Sequence, residues 1–263
     1  MFAKHTERDL TNIIDQYEDE IKQYRSKISD YFIEKAKTIN KFAENKLIID
    51  FLLTCDADTH TVKHKRYDEV ISVLKKIKED SDDIYLTSLG IKCNDDTIDN
   101  AGRSRQDECK CGKRDCYSLK ERPWYTDTVK DSVHNPVTIT MPVRDTSDSY
   151  VICVTKLMRD ENGTEIGIAA IDLLMRNIAA ELKSKNHIVI FTRTGEIVYN
   201  SEPNIRYVLE KRYNINLLVG PEILHDVQQK EVGCKKYNFE GKDCLIAYGE
   251  LVKNKFYIIS IHK

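Results

Sequence analysis

The segment from Tyr117 to Tyr125 contains the residue types most suited to binding chemistry. It reads Tyr-Ser-Leu-Lys-Glu-Arg-Pro-Trp-Tyr and holds three aromatic rings, one Arg and the single Trp of the chain. An Arg presents a planar pair of donors that fits a carboxylate, while Tyr and Trp add directed donors and surface that excludes water. The segment predicts a pocket with an apolar wall and one fixed positive charge, or alternatively an aromatic core patch beside a snorkelling Arg.

The usual signatures of enzymes do not occur in the sequence. It contains no G-x-S-x-G, no Gly-rich phosphate loop, no G-x-G-x-x-G and no H-E-x-x-H. We therefore expect a chain that is not an enzyme and that takes no cofactor. His60 and His64 stand four residues apart after Cys55. That spacing could place two metal ligands on one helix face, although solvated histidines explain it better, and we expect no metal there.

Composition and charge exclude several classes of protein. The 263 residues carry 41 Lys and Arg against 43 Asp and Glu, with 41% apolar residues, 10 Gly and 5 Pro. These proportions exclude a disordered or fibrous chain, and a net charge of −2 with interspersed signs provides no basic surface for nucleic acid. The apolar stretches are shorter than the roughly 20 residues that a membrane helix needs. The abrupt ends suggest a piece excised from a longer protein.

A long helix is predicted at the start of the chain. Apolar residues recur every three or four positions from Leu10 to Tyr31, and the segment from Leu10 to Phe51 contains neither Pro nor Gly. The pattern predicts one helix of about 40 residues and about 60 Å. Its apolar stripe is expected to pack against its own domain, against a second copy of the chain in a homodimer, or against both.

Two blocks of mixed helical and strand patterns follow. Strand patterns occupy residues 84–89, 137–141, 150–157, 165–172, 188–191, 196–199, 234–239, 244–248 and 256–261. Helical patterns occupy residues 66–79, 124–131, 173–183 and 205–213, and residues 92–106 read as a polar loop. The sequence thus predicts an α+β fold. A long N-terminal helix over residues 1–59 precedes two tandem subdomains with antiparallel sheets, over residues 60–182 and 183–263.

With these elements in place, the chain resembles the double-Cache domains. These are extracytoplasmic ligand-binding modules of chemoreceptors, sensor histidine kinases and cyclic-dinucleotide enzymes. The resemblance covers nearly the whole chain: the long helix, a membrane-distal PAS-like subdomain and a smaller membrane-proximal one. The sequence is similar to the branch that recognises free amino acids, whose motif is a Tyr followed five, seven and eight residues later by Arg, Trp and Tyr, with a distant Asp. The matching residues are Tyr117, Arg122, Trp124, Tyr125 and Asp172.

The resemblance implies a role for each of these residues. Arg122, helped by Tyr117 and Trp124, would hold the α-carboxylate of an amino acid. Asp172 and Tyr125 would hold its α-ammonium group. An amino acid carries both charges close together, so its site needs opposite charges at opposite ends. The distal subdomain is therefore expected to bind the ligand.

The sequence departs from the family pattern at Val143. Where the family commonly has Pro-Tyr-x-Asp, this chain has Pro-Val-Arg-Asp over residues 142–145. Asp145 is expected either to assist the ammonium group or to be a plain turn residue. Val143 removes an aromatic ring from the wall of the pocket and leaves the side-chain preference open.

The eight cysteines are unusual for such a domain. Four of them lie near the loop that leads into the expected pocket: Cys93, Cys109, Cys111 and Cys116. In an oxidising compartment we expect disulfides among these four, and a further disulfide between Cys234 and Cys244 across a hairpin. A zinc site in the set of four, or free buried thiols, are the alternatives.

These features favour an extracytoplasmic sensor domain of a membrane-anchored receptor that captures a free α-amino acid and signals across the membrane. One alternative keeps the fold and changes the ligand to an amine, another carboxylate or a purine. A second is a metal or redox sensor built on the four cysteines. A third is an intracellular interaction module.

Overall fold

The computed structural model of the chain describes residues 7–58, 60–106, 117–144, 149–202, 214–239 and 241–262. The chain divides into two compact units. We call Met1–Phe32 with Met175–Lys263 the terminal unit, and Ile33–Leu174 the central unit. Helix α1 (Glu7–Ala43) contributes residues to both. Within the described ranges, none of the helices combines the length and the apolar character needed to cross a bilayer.

The central unit is built on an antiparallel sheet. The strand order is β2-β1-β6-β5-β3, and β4 also pairs with β5. The strands are β1 (Ile84–Ile91), β2 (Asp96–Asp99), β3 (Thr138–Ile139), β4 (Val143–Arg144), β5 (Tyr150–Arg159) and β6 (Glu165–Leu174). The helices are α2 (Lys46–Thr54), α3 (Tyr67–Glu79) and α4 (Pro123–Asp131), with single 3₁₀ turns at Thr61–Lys63 and Leu119–Glu121.

The terminal unit has a second antiparallel sheet. Its strand order is β8-β7-β11-β10-β9. The strands are β7 (His187–Thr192), β8 (Ile197–Asn200), β9 (Val232–Phe239), β10 (Lys242–Val252) and β11 (Phe256–His262). The helices are α5 (Met175–Ala180), α6 (Ile215–Val219) and α7 (Pro221–Gln229). Every predicted strand segment overlaps one of the observed strands, several of which are longer than predicted, and the α+β class is confirmed.

The middle of the central sheet is its most apolar part. Strand β6 carries buried residues from Gly167 to Ile171, between the buried strands β1 and β5. Burial of such a run favours the folded state by about 25 cal/mol per Å² of apolar surface. The strand is therefore fixed between two neighbours at the centre of the sheet, and Asp172 follows directly after the buried run.

The prediction of one helix running to about Phe51 is wrong. Helix α1 ends at Ala43, and a new helix, α2, begins after Asn45. Asn45 has an extended backbone, and its side chain accepts hydrogen bonds from the amides of Leu47 and Ile48. An Asn that caps free amides starts a helix instead of continuing one. The absence of Pro and Gly therefore did not guarantee one unbroken helix.

The prediction of a polar loop over residues 92–106 is also wrong, because β2 lies within it. All four residues of β2 are buried although two of them are Asp. Asp96 is 1% exposed, and its carboxylate accepts hydrogen bonds from four protein donors. A strand that satisfies its acids internally has no apolar alternation to reveal it. The predicted helix over residues 205–213 lies outside the described residues.

The predicted disulfide between Cys234 and Cys244 is wrong, since both thiols are free. Cys234 pairs with Ala247 on β10, three positions from Cys244. An odd offset places the two side chains on opposite faces of the sheet, about 10 Å apart along the strand. Cys93 is free as well, which excludes a disulfide from it in this structure. Cys109, Cys111 and Cys116 lie outside the described residues.

Candidate functional site

The central unit contains a cavity of about 450 Å³. A cavity of this size is within the range of small-molecule sites in proteins. Its lining combines an apolar part with three arginines and an acid: Tyr85, Leu86, Ser88, Thr97, Arg103, Arg105, Tyr117, Arg122, Trp124, Val143, Val151, Cys153, Ala170 and Asp172. All of these residues belong to the central unit.

The floor of the cavity is one face of the central sheet. Alternate residues of a strand point to the same face. On β6 the residues that face the cavity are Ala170 and Asp172. The pairing of β1 with β6 places Ser88 opposite Ala170. On the other side Cys153 of β5 is opposite Asp172. The pairing of strands that are distant in sequence therefore brings Asp172 to the centre of the floor.

The segment before α4 forms the wall that carries Arg122. Leu119 anchors this segment, because it is fully buried against Ile168. The glycine at Gly90 makes room for it, since a Cβ there would lie 2.5 Å from Ile168 Cγ2 and 2.9 Å from Leu119 Cδ1. Arg122 then precedes Pro123 at the start of α4. Pro fits the first turn of a helix, so the Arg lies at the junction of turn and helix.

Arg122 and Tyr117 support each other in the wall. The Tyr117 hydroxyl donates to Thr97 Oγ1 at 2.7 Å. The Arg122 guanidinium lies 4.3 Å from the centroid of the Tyr117 ring, and its Nε donates to the Ser118 carbonyl at 3.2 Å. Burial raises the pKa of Tyr117. The phenol is therefore neutral at physiological pH and can act as a hydrogen-bond donor.

Asp172 has a buried thiol as its neighbour. Cys153 is 4% exposed, and its thiol hydrogen-bonds to the Asp172 carboxylate. Burial, followed by the charge of Asp172, raises the pKa of Cys153 well above its usual value. The thiol therefore stays neutral and leaves Asp172 as the acidic group of the floor.

The structure does not bring Tyr125 to the cavity lining. Tyr125 is 8% exposed and packs against Leu119 and Ile168. Its hydroxyl donates to the carboxylate of Glu165, which also receives Lys92 Nζ at 3.2 Å. Tyr125 therefore positions α4 on the sheet. Its role toward an ammonium group has no support in this arrangement.

Two predicted positions remain, Val143 and Asp145, and the structure describes only the first. Val143 lines the cavity and pairs with Val151 across β4 and β5. The departure from the family pattern thus lies in the cavity wall. Asp145 lies outside the described residues, and its expected role stays a prediction.

Two arginines of the lining were not predicted from the sequence. Arg103 and Arg105 lie on the segment that returns after β2, where the Arg105 amide donates to the Thr97 carbonyl at 2.9 Å. Both guanidinium groups hold the buried carboxylate of Asp99, at 2.7 Å from Arg103 and 3.4 Å from Arg105. The sequence feature that could have indicated them is Arg-x-Arg directly after Gly102, whose positive φ forms a turn. Residues two apart in an extended segment lie on the same face, so the two arginines could be expected side by side.

His64 has a structural role. Its ring packs edge-on against Phe51 at 4.7 Å between centroids, and its Nε2 lies 3.1 Å from Thr54 Oγ1. Throughout the described part of the chain, no group of three or more His, Cys, Asp or Glu side chains is placed to hold a metal ion. The spacing of His60 and His64 therefore gains no support as a metal site.

Comparison with known proteins identifies the fold. No family model matches this sequence, and no curated protein is significantly similar to it in sequence. The sensory domain of the Campylobacter jejuni chemoreceptor Tlp3 with isoleucine bound is similar in structure, with a TM-score of 0.67 and 15% identity over 97% of this chain and 94% of that domain.

Two further solved structures have the same fold. The ligand-binding domain of the Pseudomonas aeruginosa amino-acid chemoreceptor PctB, in complex with L-Arg, has a TM-score of 0.61 and 13% identity over 96% of this chain and 88% of that one. The periplasmic sensory domain of the C. jejuni chemoreceptor Tlp1 has a TM-score of 0.63 and 15% identity over 96% and 95% of the two chains. At the level of the fold, these likenesses confirm the resemblance to double-Cache sensor domains.

Proposed function

We propose that this chain is the extracytoplasmic sensor domain of a transmembrane signalling receptor and that it binds a free α-amino acid in the cavity of the central unit. The observation that carries the proposal is that Arg122 and Asp172, 50 residues apart in sequence, line the same cavity. A guanidinium and a carboxylate on one cavity match the two charges of an amino acid. The ligand-binding subdomain of our proposal corresponds to residues 60–182.

The remaining lining residues fit the same ligand. Tyr117 and Trp124 lie beside Arg122 and add donors next to the proposed carboxylate position. Ala170 and Val151 provide small apolar surface near Asp172. A ligand of about ten heavy atoms that binds at micromolar concentration needs about 0.8 kcal/mol per atom, below the ceiling of about 1.5. The proposal is therefore energetically ordinary.

The similar structures support a sensory role. They are chemoreceptor sensory or ligand-binding domains, and their ligands include isoleucine, L-valine and L-Arg. One of them is described as periplasmic, which agrees with an extracytoplasmic location. In a sensor of this kind, the ligand shifts a conformational equilibrium by the difference in its affinity for two states.

The proposal is tested by calorimetric titration of the twenty amino acids against the dialysed protein and against Arg122→Ala. At least one amino acid is expected to bind. Arg122→Ala is expected to weaken that binding by about 10- to 100-fold, because hydrogen bonds to charged groups contribute about 1.5–3 kcal/mol. The matched control is Arg159→Ala, which removes the same charge from the hairpin between β5 and β6. The proposal is refuted if no amino acid binds or if Arg122→Ala binds as tightly as the wild type.

A further inference from the structure

Cys55 and Cys93 are neighbours in the central unit although they are 38 positions apart in sequence. The thiol of Cys55 hydrogen-bonds to the thiol of Cys93. Cys55 follows the last residue of α2, and Cys93 lies in the turn between β1 and β2. Both are free thiols, so the structure shows the pair in its reduced form. Neither belongs to the lining of the ligand cavity.

The end of α2 is held against the sheet beside that turn. Leu52, one helical turn before Cys55, is buried, and a Cβ at Gly167 would lie 2.9 Å from its Cδ1. Gly167 of β6 is opposite Ile91, the last residue of β1. The packing of Leu52 on the sheet therefore brings the end of α2 next to the turn that carries Cys93.

The turn that carries Cys93 is fixed on both sides of this residue. The Lys92 amide donates to the Ile166 carbonyl at 3.2 Å. Asn94 Nδ2 donates to Thr61 Oγ1 at 2.9 Å, which ties the turn to the chain that follows α2. The two backbones are thus held by bonds that do not involve sulfur. A contact fixed in this way gives each thiol a high effective concentration toward the other.

The two thiols have complementary properties for disulfide exchange. Cys93 is exposed, and the hydrogen bond from Cys55, together with bonds from the backbone amides of Asn94 and Cys93, lowers the pKa of Cys93 to about 7. The pKa of Cys55 is raised, first by the hydrogen bond with Cys93 and then by burial. An exposed thiolate attacks a disulfide from solvent readily, whereas a half-buried neutral thiol does not.

We propose that Cys55 and Cys93 are a redox-active pair that closes to a disulfide by exchange with a low-molecular-weight disulfide. The Cys93 thiolate attacks one sulfur of that disulfide, whose S–S bond breaks, so that one thiolate leaves and a mixed disulfide remains on Cys93. Cys55 then loses its proton, attacks the Cys93 sulfur and displaces the second thiolate. The two protein thiols lose two electrons and two protons, and the small disulfide takes them up to become two thiols.

Closure of the pair needs little movement. The two sulfur atoms have only to approach from hydrogen-bonding contact to the length of a disulfide bond, about 2.05 Å. The bond joins the end of α2 to the turn before β2. Disulfides persist in oxidising compartments outside the cytoplasm, so the proposed extracytoplasmic location favours the closed form. The inference does not depend on the identity of the ligand, because neither thiol lines the cavity.

Peptide mapping of the whole chain tests the pairing, because trypsin separates the two cysteines. Cleavage after Lys and Arg gives residues 47–63, with Cys55, and residues 93–103, with Cys93, and each peptide contains that one cysteine. The protein is reduced, freed of reductant and incubated with oxidised glutathione at pH 7. The remaining thiols are blocked with iodoacetamide before digestion without reductant.

Mass spectrometry is expected to show the peptide of Cys55 linked to that of Cys93 as the main product that contains Cys93. Other partners are distinguishable, since Cys109, Cys111 and Cys116 each fall in a separate tryptic peptide. The inference is overturned if Cys93 is linked mainly to one of these three, if it keeps glutathione as a stable mixed disulfide, or if it stays reduced.

Serine variants separate the two steps of the exchange. In Cys55→Ser the reaction should stop after the first step, so the mixed disulfide of Cys93 with glutathione should accumulate about tenfold or more above its wild-type level. In Cys93→Ser, glutathione should add to Cys55 about tenfold or more slowly than it adds to Cys93 in Cys55→Ser. Faster addition at Cys55 would contradict the roles assigned to the two thiols.

Cys234 and Cys244 provide a matched control within the same chain. They lie on the paired strands β9 and β10, three positions out of register, with side chains on opposite faces of the sheet. No link between their peptides is expected under the conditions that join Cys55 to Cys93. Oxidation in concentrated urea removes the contact and should distribute Cys93 among several partners. A Cys234–Cys244 link in the folded chain, or an equal yield of the Cys55–Cys93 link in urea, would show that the fold does not impose the pairing.

Discussion

Arg122 is held in its orientation by contacts within the protein. Its guanidinium lies on the ring of Tyr117, whose hydroxyl is in turn fixed by Thr97. A cation on an aromatic face gains about 0.5–2 kcal/mol, depending on solvent exposure. Because the long side chain is already ordered, less conformational entropy is lost when it binds a carboxylate. The same argument applies to Arg103, which is ordered by Asp99.

Two thiols outside the cavity form a pair with unequal reactivity. The Cys55 thiol hydrogen-bonds to Cys93, and this bond lowers the pKa of Cys93 to about 7 while the pKa of Cys55 is raised. Cys93 is exposed. Since thiolates are the reactive form, we expect iodoacetamide at pH 7 to modify Cys93 well before the buried Cys153 and Cys244. Mass spectrometry of the labelled peptides measures each rate.

Removal of the hydrogen-bond donor gives the control for this prediction. In Cys55→Ala the pKa of Cys93 should return toward its usual value, and its labelling at pH 7 should slow about three- to tenfold. Cys55→Ser retains a donor and should change the rate less. Labelling of Cys93 that is no faster than that of Cys153 would contradict the prediction.

The residues that could be predicted from the sequence are those with a recognisable motif. Tyr117, Arg122 and Trp124 follow fixed spacings, and all three reach the cavity. Tyr125 has the same spacing support. However, consecutive residues of an α-helix are rotated by about 100° about the helix axis. Tyr125, which follows Trp124, is therefore directed toward the core and not toward the cavity lining. Arg103 belongs to no such motif, and its position depends on a turn after a strand that the sequence did not reveal.

At the scale of elements, the strands of high apolar content were predicted well. β6 buries seven of its ten residues and β11 all seven, so the runs of Ile, Ala and Leu in β6 and of Phe, Tyr and Ile in β11 identify them directly. β2 was not predicted because two of its four residues are acids, Asp96 and Asp99. Their carboxylates are satisfied by hydrogen bonds inside the protein, whereas a search for apolar patterns counts them as polar. Helix breaks caused by capping are equally hard to predict, as Asn45 demonstrates.

The break between α1 and α2 can be tested at Asn45. Asn45→Ala removes the acceptor for the amides of Leu47 and Ile48. We expect a loss of about 1 kcal/mol in the free energy of unfolding, the usual cost of a lost N-cap. Denaturant titration followed by circular dichroism measures it. Asn45→Asp preserves a capping oxygen and should stay within about 0.5 kcal/mol of the wild type; equal losses in both variants would show that capping is not the cause.

At the scale of the molecule, helix α1 contributes to the cores of both units. In the terminal unit Ile21 is fully buried and would contact a Cβ at Gly249. In the central unit Ile39 and Phe42 are at most 1% exposed. The sequence predicted the helix from its apolar stripe. Buried residues continue at helical spacing across the boundary, from Phe32 through the buried Lys35 to Ile39, so periodicity does not show where one unit ends.

Acid sensitivity of the whole chain is expected from His262 in the terminal unit. His262 is 7% exposed, its ring stacks on Tyr17 with centroids 3.5 Å apart, and burial lowers its pKa below the usual 6.5. Glu20, 3.7 Å from Nε2, opposes that shift. Because the unfolded chain binds this proton more readily, the free energy of unfolding decreases as pH falls from about 6.5 toward the lowered pKa, by at most about 1.4 kcal/mol per pH unit.

Substitution of His262 by Phe tests this prediction, because Phe keeps a ring on Tyr17 and cannot titrate. The melting temperature of His262→Phe should fall less between pH 7.5 and pH 5.5 than that of the wild type, by a few degrees. His134→Gln replaces an exposed histidine and should keep the wild-type profile. Carboxylates elsewhere titrate in both proteins, so the informative quantity is the difference between the two melting curves at each pH. Parallel curves for wild type and His262→Phe would mean that this histidine does not govern acid stability.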